Sequence, residues 1–390
     1  MSEPLNLYDT SIAFKDYSTK ELKKIAFLFS LMNNPVLSKI GPLLIKTGLA
    51  LRLPINNILR KTLFGHFCGG ESLIGCHQKV EKLYKHLVGS ILNYSVEGEY
   101  SNKSFDQAAD EIQNSIRFAK NKASIPFAVF KPTALVSYEI LNKIQLKSEL
   151  SESEKNDWIK ARERYDRICR EAYIMNVPVF IDAEKTWFQN PIDDLALEMM
   201  KKYNQSKCIV YTTIQFYRKD SIQLLNTLIE EARKGSFFTG VKMVRGAYLD
   251  EENERSKKFN YSTPLHSSKK DTDSSFNDAL EIICKNKDVI SACVASHNEE
   301  SCMLMAQRMT HHQIHRQDKH IYFSQLLGMS DHITFNLAKD GYNSTKYMPY
   351  GPVESVLPYL FRRAEENRSI SGQTGRELIM IRREIERRGR

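Results

Sequence analysis

Residues 207–248 read KCIVYTTIQFYRKDSIQLLNTLIEEARKGSFFTGVKMVRGAY, and this stretch decides the fold. The run KCIVYTTIQ (207–215) is short and rich in β-branched and aromatic residues, which marks a strand. Residues 219–234 carry apolar side chains at helical spacing, and TGVKMVRGAY (239–248) is again β-like. Strand, helix and strand in that order imply two parallel strands joined by a crossover helix.

The same rhythm extends in both directions. Upstream lie the β-like runs Ser90 to Val96, IPFAVFK (125–131) and VPVFIDAEK (177–185), separated by helical patterns at 103–121 and 137–175. The helical pattern at 191–204 leads into the quoted stretch. Downstream, helices near 272–286, 299–311 and 331–340 alternate with VISACVASHN (289–298), HIYFSQLLGM (320–329) and a last strand at 345–349. Eight such units are the number that closes a barrel. An open doubly wound sheet is the competing topology, but no GxGxxG follows any strand. The glycines of HFCGGESL (66–73) lack the lysine and spacing of a phosphate loop.

Composition narrows the class. With 42% hydrophobic and 26% charged residues among 390, the chain is ordinary for a globular protein, neither disordered nor integral to a membrane. The net charge of +9 invites a polyanionic partner, and it concentrates at two places. Residues 19–61 hold eight Lys or Arg and one acid around the apolar runs Ile25 to Met32 and Leu43 to Leu53, a pattern that suits either packing or an anionic membrane surface. The C-terminal RELIMIRREIERRGR carries six arginines. Seven cysteines without a CxxC pair fit a reducing compartment, and His311, His312, His315 and His320 lack the carboxylate or thiolate that would complete a metal site. Glu3, Asp9 and Asp16 stand where a targeting segment would be basic, and no run of 18 apolar residues exists. The expectation is a cytoplasmic enzyme, peripheral on the inner face of the cell membrane, with no metal.

In a barrel the chemistry sits where the strands end. Those ends carry Glu99, Lys131, Asp182 with Glu184, Gln215 with Tyr217, Lys242 with Arg245 and Tyr248, His297 with Asn298, Ser324 with Gln325, and Tyr347. Singly, each is as well explained by a cap or a polar loop; eight strands ending this way point to a site. Lys131 follows the apolar FAVF, so its ammonium should face an anion, which Asp182 can supply. The final unit, KYMPYGPVESVLPYLFRRAEEN (346–367), is a strand, a turn at Pro349 and Gly351-Pro352, and a helix starting near Glu354. Arg362 and Arg363, about 100° apart on that helix, can grip one carboxylate, with Tyr359 on the same face and Glu366 placed to hold Arg362. Cations around an apolar mouth suit a small carboxylic acid and a phosphate-bearing cofactor.

These residues resemble the proline dehydrogenase family over roughly residues 64–370. Its YxPxG and YLxRRxxEN elements stand within Tyr347 to Asn367, and VPVFIDAE, TIQFYRKD, VKMVRGAY, VASHN and FSQLLGM follow in the family's order. The resemblance implies a distorted (βα)8 barrel holding FAD at the strand ends, with extra N-terminal helices (1–63), a final helix over the active site and a basic tail (371–390). It implies oxidation of L-proline to 1-pyrroline-5-carboxylate by hydride transfer to flavin N5, with electrons passed to a membrane quinone.

By the same resemblance, Arg362, Arg363 and Lys131 take the proline carboxylate, while Leu326, Tyr347 and Tyr359 wall the ring. Asp182, positioning Lys131, completes a catalytic set with Lys131 and Lys242. Gln215, Lys242, Val244, Gly246, Tyr248, Ser296 and His297 become flavin contacts, and Glu99 an acid that pairs with Arg362 when substrate is absent. Lys242 departs from the arginine of many members, Leu249 replaces an aromatic residue of some, and the charged stretch 137–175 is longer than in compact members. The runner-up substrate is 4-hydroxyproline, against which the bulk of Tyr347 argues. A barrel that has lost catalysis and binds lipid or nucleic acid is the third reading; with no separate binding fold, no nucleic-acid partner is expected.

Overall fold

Eight short parallel strands alternate with helices in the computed structural model, which describes residues 5–34, 41, 45, 51, 55–95, 101–369 and 373–389, the side chains of 362–374 excepted. The strands are β1 (Val88–Tyr94), β2 (Phe127–Phe130), β3 (Val179–Ile181), β4 (Val210–Gln215), β5 (Thr239–Val244), β6 (Ile290–Ala295), β7 (Ile321–Leu326) and β8 (Ser344–Tyr350). Their order in the sheet is sequential and closed, the α/β barrel expected from the alternation. Every residue of β4 is buried, as expected of a parallel strand covered on both faces.

By contact the chain divides into two compact units, Met1–Gly98 with Gln325–Arg390, and Glu99–Ser324. In the second, a layer of aromatic rings packs together: Phe127 and Phe180 stack with centroids 4.3 Å apart, Tyr211 meets both edge-on and Tyr322 meets Phe127 edge-on. Gly240 stands beside Tyr211 in the register, and a Cβ there would come within 2.4 Å of the Tyr211 ring, so glycine makes room for this layer.

In the first unit the N-terminal helix Thr19–Asn33 buries Leu22, Phe29 and Met32 in a cluster with Val356, Leu360, Met380 and Ile381 of the last two helices. Its apolar stripe is therefore used in packing, while Phe27 on the same helix remains largely exposed. Ser18 caps this helix in a reciprocal pair with Glu21. Most of 43–53 lies outside the described residues, as does Glu99. Among the described residues, no helix is long and apolar enough to cross a membrane, and no cluster of His, Cys, Asp and Glu could hold a metal. The seven cysteines are buried thiols; burial pushes Cys208 and Cys293 up to about 12, which fits core residues and not nucleophiles.

The structure refines several boundaries. The stretch 137–175 is two helices, Tyr138–Gln145 and Glu152–Met175, because Lys147 turns to φ +53 and Ser151 opens the second helix in a capping box with Glu154. A helix at Leu249–Lys258 was not legible from periodicity, since LDEENERSKK has no apolar stripe. It is held instead by Glu252, whose carboxylate accepts both the backbone N–H and the hydroxyl of Thr186 at 2.6 Å.

Candidate active site

Within residues 99–324 the register sets out one rung of the barrel. Thr213 on β4 lies opposite Lys242 on β5, which lies opposite Cys293 on β6, and Asp182 directly follows β3. The long Lys242 side chain spans β4 and donates to the Asp182 carboxylate two strands away. Both are buried, and the ammonium also lies 5.6 Å from the Phe180 ring centroid. Removing either would take from a buried charge this ion-pair partner.

Glu184 lies two residues further along the same loop. Its backbone N–H donates to Gln189, and its carboxylate accepts the Thr133 N–H at 2.8 Å and hydroxyl at 3.0 Å. Burial pushes the Glu184 carboxyl up, against the opposing pull of the Lys131 ammonium and the two Thr133 bonds. Asp182, expected beside Lys131, forms an ion pair with Lys242, and the Lys131 ammonium also acts on the Glu184 carboxyl.

The polar groups after β4, β5 and β6 hold one another. Gln215 donates to the Glu184 carbonyl at 2.6 Å and accepts the Ala247 N–H at 3.2 Å. Arg245 forks to Asp273 at 2.6 Å, Ser296 at 2.7 Å and Ser301 at 2.8 Å, over the Phe276 ring. Between them Gly246 takes φ +139, and a Cβ there would meet the Tyr217 ring at 2.3 Å. Polar side chains gathered at three successive strand ends fit a large, polar cofactor. Lys242, Val244, Tyr248 and His297 lie on the same three segments, with Tyr248 carrying the Lys185 ammonium 5.8 Å from its ring centroid. Arg245 and Glu184 stand among the strand-end residues named from the sequence without an assigned role, whereas nothing in the local pattern marks Glu252.

Within the other unit, Leu326 ends β7 and Tyr347 lies in β8, where the Tyr347 carbonyl accepts the Leu327 N–H at 2.9 Å. Gly351, at φ +142, turns the chain into the helix Val353–Ser369, which starts one residue before the expected Glu354. Tyr359 is buried on that helix in the cluster against which Leu326 packs. Arg362, Arg363 and Glu366 lie on its backbone, but their side chains fall outside the described residues.

Comparison with known proteins bears on this arrangement. A family model described as "Proline dehydrogenase" matches residues 76–376. The carbapenem antibiotics biosynthesis protein CarD of Pectobacterium carotovorum subsp. carotovorum is 34% identical over 322 residues, 83% of each chain. Proline dehydrogenase 1, mitochondrial, of Dictyostelium discoideum is 31% identical over 87% of this chain and 67% of its own. The hydroxyproline dehydrogenase of Xenopus laevis is 30% identical over 85% and 78%. Among solved structures, proline utilization A from Bdellovibrio bacteriovorus, inactivated by N-propargylglycine, superposes with a TM-score of 0.73 at 19% identity. That match covers 94% of this chain and 38% of the other, and it speaks to the fold.

Proposed function

Because the chain belongs to the proline dehydrogenase family, we propose that it oxidises L-proline to 1-pyrroline-5-carboxylate with FAD as resident cofactor and a membrane quinone as electron acceptor. Residues 64–370 are the catalytic barrel in this reading, with 1–63 a helical arm and 371–390 a basic tail. The observation that carries it is the polar network at the ends of β4, β5 and β6, where Lys242 pairs with Asp182, Gln215 bonds the Glu184 carbonyl and Arg245 holds Ser296. When bound there, FAD supplies the hydride acceptor.

The chain's own residues do the rest. Gln215, Lys242, Val244, Gly246, Tyr248, Ser296 and His297 hold the cofactor, with Asp182 fixing the Lys242 ammonium. Arg362, Arg363 and Lys131 take the proline carboxylate, since paired planar cations orient it better than a single point charge. Leu326, Tyr347 and Tyr359 enclose the ring and exclude water from the carbon that loses hydride. Glu366 steadies Arg362, and Glu99 occupies it between turnovers.

For the acceptor, the exposed Lys20, Lys23, Lys24 and Phe27 of the N-terminal helix offer a surface on which an anionic membrane can rest. A second reading, oxidation of 4-hydroxyproline, has the Xenopus relative in its favour and the bulk of Tyr347 against it. Purified protein assayed with a soluble dye tests the proposal. Dye reduction that requires L-proline and outpaces 4-hydroxyproline supports it; reduction by neither substrate contradicts it.

A further inference from the structure

Next to the residues assigned to the proline ring lies a set of buried charges that the proposed chemistry does not use. Lys346 immediately precedes Tyr347 on β8 and is fully buried, its ammonium 2.7 Å from the Asp331 carboxylate. The same ammonium donates to the Met329 carbonyl at 2.5 Å and reaches the Leu326 carbonyl at 3.5 Å. Asp331 also accepts the Tyr17 hydroxyl at 3.3 Å. From the helix Gln373–Gly389, buried Glu377 accepts the Ser330 N–H at 2.5 Å and its hydroxyl at 3.2 Å. His66 Nε2 bonds the Gly328 carbonyl at 2.9 Å.

Lys346, Glu377 and His66 grip one turn, Leu326 to Ser330, and Tyr17 holds Asp331 directly after it. The turn needs gripping, because Gly328 sits at φ +77 and Ser330, a non-glycine, at φ +50. It also hangs on β8 through the Leu327 N–H to Tyr347 carbonyl bond. Burying an ammonium and two carboxylates is costly, and apolar side chains of equal volume would stabilise a core at least as well. What charges add is direction: Lys346 fixes two carbonyls of the turn at once, and with them the residue at its start.

We propose that Lys346 and Asp331 are positioning residues for the substrate ring, holding the Leu326–Ser330 turn so that Leu326 keeps its place relative to Tyr347. The inference rests on the assignment of Leu326 and Tyr347 to the proline ring. Through Tyr17 and Glu377, the N-terminal arm and the last helix contribute to the same grip, which gives those segments a part in setting substrate fit.

The test compares wild type with Asp331→Asn, with the charge-free double variant Lys346→Met/Asp331→Leu, and with Lys346→Arg. The readouts are the visible spectrum of bound flavin, kcat and KM for L-proline, and the ratio of kcat/KM for proline over 4-hydroxyproline. The expected result is flavin-loaded Asp331→Asn and double variants whose KM for proline rises roughly ten- to a hundredfold, because a small misplacement of a substrate wall is amplified in binding and orientation. kcat should move less, the proline preference should fall, and Lys346→Arg should retain most of both. Flavin-loaded variants with wild-type KM and wild-type preference would overturn the proposal. Failure of both charge-removing variants to load flavin would overturn it too, making the pair a folding element. Wild-type protein inert to proline would instead remove the functional reading beneath it.

Discussion

Lys242 reaches past Thr213 to the carboxylate of Asp182, two strands away in the barrel, and the two form a buried ion pair. The pair joins the loop after β3 to the strand that leads into Gly246, so it couples the floor of the site to the segment assigned to the cofactor.

Asp182→Ala should therefore destabilise the protein by about 3–5 kcal/mol, the usual cost of leaving a buried charge without its partner. Lys242→Met/Asp182→Leu should recover most of that stability and none of the activity. Urea unfolding of the three proteins checks the first statement and dye reduction the second. A double variant that regains both would reduce the pair to packing.

Arg362→Lys and Arg363→Lys should each raise the proline KM while flavin stays bound. A point charge on a flexible stem replaces a planar fork, and the loss of one charge-assisted contact is worth about 1.5–3 kcal/mol, roughly ten- to a hundredfold. Steady-state kinetics with both variants decide it; unchanged KM in both would remove the carboxylate assignment.

Tyr347→Ser should shift preference toward 4-hydroxyproline. Pockets that discriminate by one small group command about 1–3 kcal/mol, so the ratio of kcat/KM values should move by at least about tenfold. A ratio that stays put would show that the phenol does not wall the ring.

Acid stability should depend on Glu384. Its carboxylate accepts Arg387 and Arg388 at 2.7–2.8 Å and Thr10 at 2.9 Å, and the Arg387 bond foremost holds the carboxyl down to about 2 against an ordinary 4.5. The folded form is thus the stronger acid. Its contribution is present above pH 4.5 and is lost as pH falls toward 2. After solvent screening this amounts to something on the order of 1–2 kcal/mol. Urea midpoints of Glu384→Gln should fall less steeply than wild type between pH 4.5 and 3; parallel curves would contradict the assignment.

Most of the barrel was legible because its strands are short runs rich in β-branched and aromatic residues and most of its helices carry apolar stripes. Legibility failed where local pattern is silent. The helix Leu249–Lys258 is polar all round and is placed by the Glu252–Thr186 contact across 66 residues. The break between Gln145 and Glu152 had a readable signal in the Ser151–Glu154 capping box, which a charged, helix-favouring composition obscured. At the site, Asp182, Lys242 and Gln215 could be named from their positions at strand ends, but the Asp182–Lys242 ion pair across two strands could not. Lys346 was hardest to see, because a lysine one residue from the site reads as a solvated strand residue until its buried partners Asp331 and the Met329 carbonyl appear.

The most direct measurement is the visible spectrum of the purified chain, taken anaerobically before and after addition of L-proline. The account predicts a yellow protein whose flavin absorbance bleaches with L-proline and returns when a quinone is added. A colourless protein that cannot be loaded with FAD, or a yellow one that L-proline leaves unbleached, would contradict it.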